Sequence, residues 1–228
     1  MDNNNNNNSN SNAKDSGNFT KLLIIIALVV LVVSLYFLML SPSTKKPASR
    51  GSIRSEEQHR EQAQQYADIG GEFVLIDQDG KEFSSAALLG RPALVYFGFT
   101  FCPDICPTSL QKITAVMKTL DQYQIDVTPI FITIDPARDN AELLKLYLTN
   151  FHSKLIALTG TEQQVKKAAD LFKVYYEIAE GSDKGRNDYL VNHTSFIYLM
   201  DKNFHYVKHF DMSTSSEEII EFIRINFK

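Results

Sequence analysis

The fold is decided by the segment Pro92-Ala-Leu-Val-Tyr-Phe-Gly-Phe-Thr-Phe-Cys-Pro-Asp-Ile-Cys-Pro107, in which an apolar run leads directly into two cysteines. The β-branched and aromatic residues at 95–101 favour a buried strand, and the prolines that follow are typical of a turn. Beyond Pro107, apolar residues recur at helical spacing as far as Leu120. The segment therefore predicts a strand, a sharp turn and a helix, with two thiols at the corner.

The rest of the chain predicts a sandwich built around this unit. Alternating apolar residues, turn residues and helical periodicity predict a hairpin at 72–83 with Asp79-Gly80 at its turn, a buried strand at 127–134, a helix at 141–147, a strand at 155–158, a helix at 162–172, an antiparallel pair at 194–200 and 205–208, and a closing helix at 213–227. Strands that alternate with helices early and pair as a hairpin late indicate an α/β fold, a thioredoxin-like sandwich.

Four regions are expected along the chain. Residues 1–18 form an asparagine-rich tail with too little apolar content to fold, 19–41 a single transmembrane anchor, 42–65 a polar linker, and 66–228 the folded domain. Leu22 to Leu40 is free of charge, and as a helix it would span about 28 Å, close to the hydrocarbon thickness of about 30 Å. A cleaved signal peptide is the alternative, but its apolar region is about 7–15 residues long and a small-residue cleavage site should follow.

The charges that flank the apolar span bear on the orientation of this anchor. Basic residues are more numerous after the span than before it: Lys14 and Lys21 precede it, and Lys45, Lys46, Arg50 and Arg54 follow it. That bias alone would keep the C-terminal side in the cytoplasm, although long domains translocate largely regardless of it. The first 49 residues contain no arginine, which argues against a mitochondrial presequence. We expect a bacterial inner-membrane protein with its C-terminal domain in the periplasm.

The charge balance excludes one large class of partner. Residues 66–228 carry 16 Lys+Arg against 22 Asp+Glu, so the folded part is acidic. A surface of that sign is unsuited to binding a phosphate backbone, and no glycine-rich phosphate loop is present. We therefore expect neither a nucleic-acid nor a nucleotide ligand.

Cys102 and Cys106 are the only cysteines, and their spacing of four would place them on one face of a helix. A structural disulfide across so short a loop would remove only about 2 kcal/mol of unfolded-state entropy. Thiols at a helix N-terminus have a lowered pKa, and the thiolate is the form that attacks disulfides and also binds metals. The spacing alone leaves a redox pair and a metal site as alternatives.

A third ligand would favour the metal site, and His193 is the candidate because it precedes a predicted strand that can reach the cysteine corner. Two thiolates and one imidazole form a soft set of few ligands that suits copper, Cu(I) above all and also Cu(II). Zinc with an open coordination position is an alternative ion, ranked lower for want of an assigned base. Asp104 is a further candidate, either as a weak ligand or as a helix-start carboxylate.

Three motifs resemble the SCO/SenC family of membrane-anchored copper chaperones: Phe99 to Pro107 with both cysteines, the Asp135-Pro-x-Arg138-Asp139 turn, and the segment from Asp188-Tyr189 to His193-Thr194. The resemblance covers roughly residues 66–228. It implies a thioredoxin-like fold, copper held by Cys102, Cys106 and His193, and assembly of the dinuclear copper site of cytochrome c oxidase subunit II as the function. It names no copper donor.

Two positions depart from the family pattern, and one competing function stays open. Asn192 stands where many members have aspartate, which could alter the orientation of the imidazole, and Asn203 replaces a common turn glycine. The alternative function is a thiol–disulfide oxidoreductase that keeps the cysteines of a partner reduced. Against it stand the Cys-x3-Cys spacing and the absence of proline after Pro136, where thioredoxin-type enzymes place a cis-proline. A peroxidase is weaker still, because no remote resolving cysteine is present.

Overall fold

The computed structural model describes residues 16–40, 66, 68–181 and 188–227. Contacts divide the chain into two units, Met1–Glu57 and Gln58–Lys228, and each is described by itself. The predicted linker at 42–65 lies outside the described residues, as does most of the predicted tail at 1–18.

The first unit contains one described helix, α1, at Ser16–Leu40. Its large apolar side chains between Leu22 and Phe37 are exposed. In the described part of the chain, we find no helix with both the length and the apolar character that crossing a membrane requires. The anchor predicted for 19–41 stays a prediction.

The second unit alternates short strands with helices. Its described strands are β1 (Val74–Asp77), β2 (Glu82–Ser84), β3 (Ala93–Gly98), β4 (Thr128–Thr133), β5 (Ile156–Thr159), β6 (Tyr176–Ile178), β7 (Val191–His193), β8 (Ile197–Met200) and β9 (Tyr206–Phe210). Its described helices are α2 (Ile105–Gln122), α3 (Ala141–Leu148), α4 (Glu162–Leu171) and α5 (Ser216–Asn226), with a 3₁₀ turn at Ser85–Leu88. These bounds confirm the predicted hairpin, the two buried strands, the late antiparallel pair and the helices.

Seven of the described strands form one sheet in the order β2-β1-β5-β4-β3-β8-β9. The centre is parallel, because β4 pairs with both β3 and β5 in that sense, and the outer pairs are antiparallel. Every residue of β3 and β4 is buried, as expected for strands in the middle of a sheet that is covered on both faces. The carboxyl end of β3 therefore delivers the cysteine segment to an edge of the sheet.

The strands β6 and β7 form a separate antiparallel ribbon that the sequence did not lead us to predict. The predicted strand at 194–200 is correspondingly shorter and begins at Ile197. In the turn between β8 and β9, the positive φ of 61° falls on Phe204 rather than on Asn203. The asparagine therefore has no need of the conformational freedom of the glycine that it replaces.

Side-chain caps define the starts of three helices. Asn140 accepts from the Leu143 amide at the start of α3, and Thr161 and Ser215 form reciprocal capping boxes at the starts of α4 and α5. Each such cap contributes about 1 kcal/mol. In contrast, the N-cap residue of α2, Asp104, makes no side-chain cap bond. The first turn of the cysteine-bearing helix thus leaves its amides to other acceptors.

Candidate metal centre

Cys102 lies on the loop before α2, so the prediction that both cysteines share one helix face is wrong. The turn residues Cys102-Pro-Asp delay the helix, which begins at Ile105. The amide of Cys106 donates to the Sγ of Cys102 at 3.4 Å. The sulfur of Cys102 therefore takes the place of a capping oxygen and receives the favourable N-terminal field of the helix.

Cys106 lies in the first turn of α2 and is fully buried against β3. The sulfur sits where Gly98 has no side chain, because a Cβ added there would lie 2.8 Å from Cys106 Sγ. The ring carbons of Tyr96 and Phe131 would meet the same Cβ at 3.0 and 3.1 Å. The missing side chain at the end of β3 thus creates the space that holds the buried thiol.

His193 is the last residue of β7, where it pairs with Tyr176 of β6. Its ring stands edge-on to the rings of Phe99 and Tyr96, with centroids 6.0 and 6.4 Å away. Its Nδ1 lies 2.9 Å from the carbonyl oxygen of Thr194. A carbonyl only accepts, so Nδ1 carries the proton and the lone pair of the neutral ring is on Nε2.

The lone pair of His193 points at the buried thiol, because Nε2 lies 3.5 Å from Cys106 Sγ. The ring is oriented by its neighbour Thr194, whereas Asn192 is exposed in the ribbon. The departure at Asn192 consequently does not remove the group that fixes the ring. Asp104 is also exposed and lies at the helix start, which is the second of the two roles considered for it.

The two thiols have opposite acid–base character. Interaction with the Cys106 side chain, against the opposing effect of burial, holds the pKa of Cys102 well below the ordinary thiol value, and the amides of Asp104 and Cys106 act in the same direction. The same pairing with Cys102, followed by burial, raises the pKa of Cys106. The half-buried thiol of Cys102 is thus the more acidic of the pair.

The donor set fits a soft metal ion. With bond lengths of about 2.3 Å to sulfur and about 2.0 Å to nitrogen, two ligands of one tetrahedral ion stand about 3.5 Å apart. That is the separation between Cys106 Sγ and His193 Nε2. Within the described residues, however, no group of three or more His, Cys, Asp or Glu side chains is arranged so that it could hold a metal ion as it stands. Two thiols and one imidazole are thus brought close together, and binding of an ion requires these side chains to change their positions.

The loop that carries Cys102 is held by the buried carboxylate of Asp139. This carboxylate accepts hydrogen bonds from the amide of Thr100 at 3.0 Å, from the Thr100 hydroxyl, and from the Thr133 hydroxyl at 2.6 Å. Burial nevertheless raises its pKa. Asp139 therefore ties the turn after β4 to the residue two positions before the first cysteine.

The segment that carries His193 is held by the same turn. The Tyr189 hydroxyl donates to Asp135 at 2.6 Å, and Arg138 forms an ion pair with Asp135. The Arg138 guanidinium lies over the rings of Tyr189 and Phe101, at 3.5 and 4.6 Å from their centroids. The turn after β4 therefore contacts both the loop that carries Cys102 and the segment that carries His193. The only sequence signal for this role was that the Asp135-Pro-x-Arg138-Asp139 motif occurs together with the other two motifs.

Comparison with known proteins places this geometry in a wider group. A family model described as SCO1/SenC matches residues 61–227. The chain is 47% identical over 207 residues to a SCO2-like protein of Rickettsia typhi, covering 91% of this chain and 98% of the relative. It is 42% identical over 161 residues to the mitochondrial protein SCO1 of Saccharomyces cerevisiae, covering 68% of this chain and 54% of that protein.

Solved structures share the fold. A crystal structure of yeast Sco1 with copper bound matches with a TM-score of 0.65 and 40% identity, covering 70% of this chain and 88% of that one. Arabidopsis thaliana ScoI with copper bound matches with a TM-score of 0.63 and 39% identity, over 68% and 95% of the two chains. These matches confirm the predicted thioredoxin-like α/β fold of the second unit.

Proposed function

The chain belongs to the SCO1/SenC family, and on that premise we propose that it is a copper chaperone that binds copper through Cys102, Cys106 and His193. The observation that carries the proposal is the meeting of Cys106 Sγ and His193 Nε2 at 3.5 Å, with the low-pKa thiol of Cys102 beside them. Two sulfurs and one imidazole favour Cu(I) and also accommodate Cu(II). Relatives of the chain have been solved with copper bound.

The arrangement suits uptake and release of an ion. Cys102 is half-buried and its thiolate is available at neutral pH, so it is the ligand that an incoming ion meets first. Cys106 and the imidazole lie behind it, and the ion replaces the thiol proton of Cys106 as it enters. Transfer to an acceptor then proceeds by ligand exchange, with the half-buried sulfur of Cys102 as the last ligand to leave.

The acceptor that we propose is the dinuclear copper site of cytochrome c oxidase subunit II. A structural relative at 28% identity is described as a member of the Sco family of cytochrome c oxidase assembly proteins. We propose further that 19–41 anchors the chain in a bacterial inner membrane with the domain in the periplasm. The uncharged stretch from Leu22 to Leu40 and the exposed apolar side chains of α1 support an anchor.

Anaerobic loading of the full-length reduced chain with Cu(I) tests the binding function. We expect one copper per chain in the wild type and loss of bound copper after the double change Cys102→Ser and Cys106→Ser. A chain that retained its copper without both thiols would contradict the proposed site. Alkaline extraction of membranes tests the anchor separately. The wild-type chain should stay in the membrane, and a chain lacking residues 1–41 should be extracted.

The oxidoreductase alternative rests on one observation, the opposite pKa shifts of the two thiols. A low-pKa thiolate beside a protonated thiol is also the arrangement of a dithiol that reduces disulfides. The two functions differ in their need for His193. His193→Ala should abolish tight copper binding and leave the Cys102–Cys106 redox couple measurable. A copper chaperone should lose its function with that change, whereas an oxidoreductase should still reduce disulfides.

A further inference from the structure

The phenol of Tyr96, at the candidate metal centre, is a buried polar group to which the described residues offer no full hydrogen bond. The residue lies in the middle of β3 and has no exposed surface. Its hydroxyl oxygen is one of the few buried side-chain oxygens for which the described residues provide no hydrogen bond. Leaving such a group unpaired is costly, so its presence requires an explanation.

The surroundings of this hydroxyl point towards Cys106. Tyr96 and Gly98 are two residues apart on one strand and face the same side of the sheet, which is the side that holds Cys106 Sγ. Burial, and next Cys106, raise the pKa of the phenol, whereas Ser109 lowers it, so both side chains lie within reach of the hydroxyl. The geometry of neither contact is that of a full hydrogen bond. Ser109 already donates its own proton to Met212 Sδ at 3.0 Å.

Few groups stabilise the buried sulfur of Cys106 as a thiolate: the backbone of Phe99 and the side chain of Tyr96 lower its pKa, against the larger raising effects of Cys102 and burial. The imidazole of His193 presents a lone pair to Cys106 Sγ and therefore offers no proton to it. Two thiolates and one Cu(I) ion would leave the buried site with one net negative charge, and a hydrogen bond to the buried sulfur would stabilise that charge. Two described hydroxyls near the thiols have an unused O–H, those of Tyr96 and Tyr147. Of these, the Tyr96 phenol is the one that acts on Cys106 at hydrogen-bond range.

We propose that the Tyr96 hydroxyl donates a hydrogen bond to the Cys106 thiolate once Cys106 holds a metal ion, and so tunes the strength of the copper–sulfur bond. The inference rests on the proposed copper-binding function and assigns a role to a residue that no ligand motif includes. The described residues give this hydroxyl no full hydrogen bond, and a thiolate sulfur at Cys106 would supply the acceptor.

The proposal predicts opposite effects of one variant on thermal stability and on copper affinity. Tyr96→Phe keeps the ring between Phe131 and His193 and removes only the hydroxyl. The metal-free variant should be at least as resistant to heat as the wild type, because an unpaired buried hydroxyl has been removed. Copper affinity should fall by about 10- to 100-fold, the usual effect of losing a hydrogen bond to a metal ligand.

Spectroscopy supplies a readout that a merely structural role would not move. A hydrogen bond to a ligand sulfur lowers the energy of its lone pair, so its loss should shift the sulfur-to-Cu(II) charge-transfer band to longer wavelength. The reduction potential of bound copper should fall as well, because hydrogen bonding around a cysteine sulfur tunes that potential. Tyr147→Phe is the matched control, because it removes another buried hydroxyl that has no partner among the described residues.

The test is titration of the full-length chain, as wild type, Tyr96→Phe and Tyr147→Phe, with Cu(I) against a competing chelator and with Cu(II) for the spectrum. Weaker binding and a shifted band in Tyr96→Phe alone would support the assignment. Unchanged affinity and band position in that variant, or equal changes in both variants, would overturn it. Failure of the wild type to bind copper would instead overturn the proposed function on which it rests.

Discussion

The Nε2 atom of His193 lies 3.5 Å from the Sγ atom of Cys106, although 87 residues separate them in the chain. Cys106 reaches this point on the first turn of α2, and His193 on the last residue of a short ribbon. The Nδ1–H···O=C contact with Thr194 turns the lone pair of the imidazole towards the sulfur. The turn after β4 holds the two segments that carry the ligands, through the Tyr189–Asp135 and Thr100–Asp139 hydrogen bonds. Each of these hydrogen bonds can be tested.

Tyr189→Phe should loosen the segment that carries His193. The change removes a hydrogen bond of 2.6 Å to Asp135 from a side chain that is 2% exposed. Hydrogen bonds to charged groups contribute about 1.5–3 kcal/mol, so denaturant unfolding should show a loss in that range, with weaker copper binding. Tyr175→Phe is the control, because Tyr175 is 61% exposed. Equal behaviour of the two variants would show that Tyr189 does not support the site.

Asp139→Ala should release the loop that carries Cys102. Three hydrogen bonds from Thr100 and Thr133 end on this buried carboxylate, and the change leaves all three donors unsatisfied. Unsatisfied buried groups cost about 1–3 kcal/mol each, so the midpoint of denaturant unfolding should fall strongly. Asp170→Ala removes an exposed carboxylate paired with Lys166 and should leave the midpoint nearly unchanged. A mild effect of Asp139→Ala would mean that the loop is held by other contacts.

Gly98→Ala should displace the buried sulfur. A methyl group at this position meets Cys106 Sγ at 2.8 Å and two aromatic rings at 3.0 and 3.1 Å. Overpacking of this kind costs about 1–3 kcal/mol, and we expect copper affinity to fall with it. Gly160→Ala also crowds its neighbours, at 3.0 Å from Gln164, but away from the thiols. It should change stability without changing copper affinity, and the same loss of copper in both variants would contradict the account.

The reactivity of Cys102 should persist into acid. A thiol whose pKa is lowered is a thiolate at all pH values above that pKa, so its rate of alkylation falls only when the pH drops through it. We therefore expect iodoacetamide to modify Cys102 in the reduced, metal-free chain at pH 5 almost as fast as at pH 8. Cys106→Ser removes the main cause of the shift, and the inflection should move to higher pH. An inflection near the ordinary thiol pKa of about 8.5 in the wild type would contradict the predicted thiolate.

Much of this architecture follows from local patterns in the sequence. The buried strands β3 and β4 have apolar runs of strand length, and α2 has a helical stripe that ends at Leu120, so periodicity alone predicts them. Periodicity failed at β6 and β7, which have three residues each and no buried residue in their patterns. Pairing with another segment, rather than any local preference, makes these residues strands.

The site was harder to predict than the sheet. Residue types identified Cys102, Cys106 and His193 as candidates, and the resemblance to a family joined them, but the spacing of four suggested a shared helix face. Pro103 and Asp104 delay the helix to Ile105, and so Cys102 becomes an acceptor at the helix start instead. The supporting contacts of Tyr189 and Asp139 arise from tertiary packing, which no spacing along the chain reveals.

X-ray absorption at the copper edge of the Cu(I)-loaded full-length chain tests the central claim most directly, because it counts the sulfur and nitrogen atoms bound to the ion. The account predicts two sulfurs and one imidazole nitrogen in the wild type. It also predicts loss of the nitrogen in His193→Ala but not in His205→Ala, whose side chain is 78% exposed. Identical spectra for the wild type and His193→Ala would contradict it.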